Sequence, residues 1–139
     1  MRPADVLPHR DPFLFVSEVV SVEPGRAASG RWHLTGDEQF FAGHFPGRPT
    51  LPGVLMLESL AQLGGIVVLA DERFSGKLPL FGGVDRARFR RQVLPGETLE
   101  LQVTVSRLSA RGGSGHGHAH VGGKTACEAD LLFVIVDRD

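Results

Sequence analysis

One stretch of this chain leaves little freedom in how it can fold. From Val54 to Ala70 the sequence is broken by polar residues only at Glu58, Ser59 and Gln62. Pro49, Pro52 and Gly53 come just before it, and proline is tolerated at a helix start because its missing N–H would have no partner there. The run predicts a helix from near Pro52 to about Leu69, with Gly64-Gly65 as a soft spot within it. A helix apolar nearly all round is stable in water only when it is buried, so the rest of the chain must wrap around it. The run falls short of the roughly 20 residues a membrane span needs, and it carries a carboxylate near its start.

Its polar exceptions carry information. Glu58 and Gln62 are spaced i, i+4 and share one helix face. A glutamate among apolar neighbours is costly unless it is paired or used. Burial favours the neutral form of a carboxylic acid, the form a general acid needs near neutrality. Upstream, in a stiff Pro/Gly loop, stands His44, of the residue type that titrates near neutrality and serves as a base. Gly53 at the helix start offers an N–H where the helix dipole favours a developing oxyanion. A lone loop histidine is more often a packing or surface residue, and a lone helix glutamate is usually solvated. The residue types by themselves therefore leave an acid/base pair as one reading among others.

The remainder reads as strands. Phe13–Val22 and Ala27–Leu34 flank the Pro24-Gly25 turn, and Gly36–Gly47 reads as a loop. A mixed run, Leu80–Val93, ends at Pro95-Gly96. In Glu97–Leu108, Leu99, Leu101, Val103 and Val105 alternate with polar residues, the mark of a half-buried strand. Ala110–Gly117 is glycine-rich. His116–Val121 and Lys124–Val136 are strands joined by the tight Gly122-Gly123 turn. The pattern predicts an α+β chain, about six strands curling around one long central helix. There is no internal repeat and no interdomain linker, so residues 1–139 are expected to form one domain.

Composition narrows the function classes. The chain has 139 residues, 15 of them basic and 16 acidic, for a net charge of −1. That balance gives no support to nucleic acid as the main partner, which calls for a basic surplus. One cysteine, Cys127, permits no internal disulfide and reads as a small apolar strand residue. Met1–Arg10 lacks the apolar core of a signal peptide, and a cytoplasmic protein is expected.

The stretch from Gly43-His44-Phe45-Pro46-Gly47 through Leu51-Pro52-Gly53 to Glu58 and Gln62 resembles the signature of the Z-type 3-hydroxyacyl-[acyl-carrier-protein] dehydratases. So do Leu7-Pro8-His9-Arg10-Asp11-Pro12-Phe13-Leu14, the middle segment Gly82–Arg91, the turn Leu94-Pro95-Gly96, and Lys124–Ala129. The resemblance spans about Leu7 to Val136. It implies a hot-dog fold, an antiparallel sheet around one helix, and a lyase that needs no cofactor. It also implies a homodimer, commonly assembled into a hexamer as a trimer of dimers, with His from one subunit and Glu from the other at each site. Carried onto this chain, His44 takes the C2 proton, and Glu58, through water, protonates the departing C3 hydroxyl. The Gly53 amide polarises the thioester carbonyl, and Gln62 orients Glu58. Glu rather than Asp at position 58 favours plain dehydration over double-bond isomerisation.

Some features depart from that pattern. The chain has no tyrosine, and Leu80 or Phe81 stands where the family commonly has a tyrosine gating the acyl tunnel. His116, His118 and His120 alternate and share a strand face. Imidazoles suit Zn or Ni, but no carboxylate or cysteine partner stands nearby in sequence, so a solvated face is expected and no metal. The arginines of Arg86–Arg91 fit either a solvated face or docking of the acidic acyl carrier protein and its phosphopantetheine phosphate. By strand period, Arg86, Arg88 and Arg90 share a face opposite Arg91. His9 and Arg10 read as structural.

Two other functions fit the same fold: an acyl thioesterase, and a non-catalytic acyl-thioester-binding module. The intact His44 loop with Glu58 argues for dehydration. A module would typically have lost one of the two.

Overall fold

The computed structural model describes residues 1–138. Its organising element is the expected helix, α3, Gly53–Leu69. It follows two short helices, α1 (Pro3–Val6) and α2 (Phe40–Gly43). The strands are β1 (Glu18–Glu23), β2 (Ala27–His33), β3 (Lys77–Phe89), β4 (Thr98–Ser109), β5 (Gly112–Val121) and β6 (Lys124–Asp137). They form one antiparallel sheet in the order β1-β2-β4-β5-β6-β3, so β1 and β3 are its edges. This is the hot-dog arrangement.

The sheet wraps α3. Leu60, Leu63, Ile66 and Val67 are fully buried, and facing them are Leu99, Leu101 and Val103 of β4, Ala119 of β5 and Leu131 of β6. Each such leucine removed from water contributes roughly 2–3 kcal/mol. Val54, in its first turn, is the one exposed residue of α3, at 67%.

The helix runs unbroken through Gly64-Gly65, which are buried. The glycines are a packing device rather than a soft spot. A Cβ on Gly64 would lie 2.4 Å from the ring tip of Phe133 on β6, so only a bare backbone admits that ring. On the sheet side, Gly117 leaves the space that Leu60 and Leu131 fill.

Other boundaries also differ from expectation. The first strand begins at Glu18, not Phe13. The Phe15 N–H donates to the Gln62 side-chain oxygen, and the Phe13 and Phe15 carbonyls accept from the Gln62 amide and the Ser59 hydroxyl. Phe13–Phe15 is thus tied to helix side chains, and contact with β2 resumes at Ser17, whose N–H donates to the Arg31 carbonyl. The loop Gly36–Gly47 contains α2. The glycine-rich part of Ala110–Gly117 is largely strand, β5 starting at Gly112. A Cβ on Gly115 would meet the Thr104 carbonyl at 2.3 Å, so β5 can approach β4 there only as glycine. The middle strand starts earlier than Leu80, at Lys77, and stops at Phe89.

Candidate active site

His44 follows α2, in the loop that leads to α3. Its Nδ1 lies 3.0 Å from the Thr50 carbonyl, and the Thr50 N–H returns a bond to the His44 carbonyl at 2.7 Å. A carbonyl can only accept, so Nδ1 is the donor. In the neutral ring this leaves Nε2 as a bare acceptor, the form a base requires. The ring is half-buried and stacks on Phe45, with centroids 4.2 Å apart. Thr50, which fixes the tautomer, was not singled out in the sequence. A carbonyl contact leaves no trace in residue types.

Three residues on, α3 begins at Gly53, whose N–H is among those with no partner inside a helix. The Phe89 ring lies over it, and a Cβ at position 53 would sit 2.9 Å from that ring. Glycine therefore keeps the backbone bare at this helix start.

Glu58 lies just over a turn further along α3. The Gln62 amide nitrogen donates to its Oε2 at 3.1 Å, as the i, i+4 spacing predicted. Gln62 is itself buried and pinned at both ends, to Phe15 N–H and the Phe13 carbonyl. Oε2 thus receives the Gln62 donor, and Oε1 has no protein donor among the described residues. His9 Nε2 stands 3.7 Å from the same Oε2.

Glu58 opens on a small cavity of about 140 Å³ lined also by His9, Gln62, Leu80, Phe81 and Phe133. The two residues expected at the tunnel gate thus line the same space as Glu58. His44 does not line it, and among the described residues no hydrogen bond or ion pair joins His44 to Glu58. A larger, open cleft of about 730 Å³ between Phe13, Trp32 and Phe40 contains neither residue.

The arginines are distributed by a bulge between Asp85 and Arg88, which interrupts the strand period. Arg86 and Arg90 reach β6, pairing with Asp130 at 2.9 Å and Glu128 at 2.7 Å. These contacts hold both carboxyls below their usual range: Arg90 chiefly for Glu128, and His116 followed by Arg86 for Asp130. Arg91 turns to Glu97 instead. Arg88 is exposed, and its guanidinium donates only to the Ala87 carbonyl among the described residues. Of the three histidines, His116 bonds Asp130 and His118 bonds Thr125. Burial, with His120 next, holds the His118 imidazole below its ordinary range.

The FabA-like domain family model matches residues 7–130. The chain belongs to that family. FabA-like relatives named 3-hydroxyacyl-[acyl-carrier-protein] dehydratase FabZ are found in Moorella thermoacetica, 50% identical and covering 96% of this chain and 93% of the relative, and in Oenococcus oeni, 52% identical with 94% of each covered. The FabA-like fold is shared with the dehydratase heterocomplex ApeI:P of Xenorhabdus doucetiae, at a TM-score of 0.81 and 18% identity over 99% of this chain and 93% of that one. A hypothetical thioesterase from Streptococcus pneumoniae, solved with coenzyme A, matches at a TM-score of 0.67 and 9% identity, covering 86% of this chain and 85% of its own. The family read from the sequence motif is thus the family found. No helix among the described residues is long and apolar enough to cross a membrane.

Proposed function

We propose that this protein dehydrates 3-hydroxyacyl chains carried on acyl carrier protein to trans-2-enoyl thioesters, in the cytoplasm, as a step of fatty acid synthesis. The names of its curated relatives support the substrate and the reaction. The observation that carries the mechanism is the His44–Thr50 bond, which leaves Nε2 free to accept a proton. Nε2 takes the C2 proton, acidified by the thioester. The C2–H electrons become the C2=C3 bond as the C3–O bond breaks. Glu58 Oε1, through a water, gives the leaving hydroxyl its proton, so water departs. The Gly53 N–H supports the negative charge that gathers on the thioester oxygen. Passing the C2 proton to solvent and reprotonating Glu58 restores the starting state. No step calls for a cofactor.

The site is completed across a homodimer. Two observations support this. Within one chain His44 and Glu58 share no hydrogen bond or ion pair, and His44 does not line the cavity onto which Glu58 opens. Edge strand β3 and its neighbour β6 also expose Leu80, Phe81, Val84, Leu132, Val134 and Val136, an apolar strip suited to a partner. A hexamer, as a trimer of dimers, is the assembly the family resemblance implies. Leu80 and Phe81 limit the acyl tunnel beside Glu58, and exposed Arg88, flanked by Arg86 and Arg90, meets the carrier protein or its phosphopantetheine phosphate.

Crotonyl thioester tests the function directly. Hydration marks the lyase, thiol release a thioesterase, and binding without turnover a non-catalytic module. Glu58→Gln keeps the shape but cannot donate the proton, and it should lower turnover by roughly 10²–10⁴-fold. Near-normal turnover in that variant removes Glu58 from the mechanism.

A further inference from the structure

We propose that His9 is a positioning residue for Glu58, holding Oε2 of the carboxyl so that Oε1 alone handles the proton. This rests on the assignment of Glu58 as the general acid. His9 lies just beyond α1, and its Nε2 stands 3.7 Å from Glu58 Oε2, the oxygen that Gln62 already holds. That separation is too long for a hydrogen bond as it stands, and a small turn of either side chain closes it. Neither group is freely solvated: the side chains are 28% and 21% exposed.

The surroundings isolate the pair. His9 and Glu58 are the two ionisable residues lining their cavity, whose other walls are apolar apart from Gln62. Arg10, next along the chain, is turned back onto the carbonyls of Leu7 and His9.

The far side of the ring sets which nitrogen carries the proton. His9 Nδ1 is buried and has no hydrogen-bond partner. A proton there would be a buried donor with nothing to receive it, which is costly. The form with its proton on Nε2 leaves only an unfilled acceptor at Nδ1 and aims its one N–H at Glu58. Once that gap is closed, two donors converge on Oε2, from His9 and Gln62, and no protein donor reaches Oε1 among the described residues. When Oε1 gives up its proton, the new negative charge is already cradled at the other oxygen.

The test compares His9→Ala, His9→Gln and wild-type protein in crotonyl-thioester hydration, reading kcat, KM and Tm. His9→Ala is expected to lower kcat on the order of tenfold, the worth of one hydrogen bond to a charged group, with KM and Tm near wild type. His9→Gln should recover most of that loss, because its amide can donate from nearly the same place. In a Glu58→Gln background, His9→Ala should change the residual rate little, since the two act as one unit. An unchanged kcat in His9→Ala overturns the proposal. So does a loss that comes with a matching fall in Tm and is not repaired by glutamine, which would make His9 a packing residue. If Glu58→Gln itself keeps full turnover, the assignment of Glu58 falls and this proposal with it. An inactive Glu58→Gln beside a fully active His9→Ala overturns this proposal alone.

Discussion

Gln62 donates to Glu58 from one helical turn away, the amide nitrogen 3.1 Å from Oε2. The same side chain accepts from the Phe15 N–H and donates to the Phe13 carbonyl, so it ties the acid to the N-terminal segment. Gln62→Leu fills a similar volume but strands the Phe15 N–H in a buried place. It should cost about 1–3 kcal/mol of stability, the range for one buried group left unpaired, and should also lower kcat. Urea denaturation and turnover measured on one preparation check this. Full stability in Gln62→Leu would mean that the bracket around Glu58 is not held from this side.

Subunit mixing tests where the two halves of the site come from. His44→Ala and Glu58→Gln should each be nearly inactive. If each site draws one residue from either chain, mixed dimers of the two variants contain one intact site. Co-expressed, differently tagged variants purified as mixed dimers should regain a substantial fraction of wild-type activity. No recovery, with mixed dimers verified, would place both residues in one chain.

The glycines should differ in what they tolerate. A Cβ at Gly115 meets the backbone carbonyl of Thr104, which cannot move without breaking the β4–β5 ladder. Gly115→Ala should cost about 1–3 kcal/mol or more, the range for overpacking a close-packed interior. At Gly64 the obstacle is the tip of the Phe133 ring, and alanine also gains about 1 kcal/mol of helix propensity over glycine. Gly64→Ala should therefore lose less than Gly115→Ala, and Phe133→Leu should lessen its loss. Thermal unfolding of the three variants ranks them, and the reverse order would contradict these contacts.

The arginine run makes a prediction about the carrier protein. Arg86 and Arg90 already face Asp130 and Glu128, whereas Arg88 pairs with no acid among the described residues. Arg88→Glu should raise KM for carrier-bound substrate and leave the rate on a short N-acetylcysteamine thioester nearly unchanged. The difference should shrink with added salt, since exposed charges are screened beyond a Debye length of about 8 Å at physiological ionic strength. Equal effects on both substrates would assign Arg88 a structural role instead.

How much of this was visible in the chain depends on how local each feature is. The buried helix, Glu58 with Gln62 on one face, and the alternation of Leu99 to Val105 follow from the spacing of side chains along one element, and they stand as expected. The start of β1 was hidden because Phe13–Ser17 is as apolar as a strand, and only the tertiary bonds to Gln62 and Ser59 reveal otherwise. The glycines of β5 look like a loop in sequence, and their need appears only when β4 stands 2.3 Å from where a Cβ would be. His9 is the clearest case among the site residues. It lies 49 positions before Glu58, and nothing in its own neighbourhood marks it as the acid's neighbour.

The seating of Phe133 against Gly64 has a reach beyond local packing. Gly64 lies six residues beyond Glu58, about 9 Å along the axis at 1.5 Å per residue. The ring acts as a detent: α3 can neither slide nor roll along the sheet without driving a side chain into Phe133, or the Leu60 side chain out of the gap at Gly117. The position of Glu58 over its cavity is thus indexed mechanically from both sides, by Leu60 two residues on and by Phe133, which lines that same cavity.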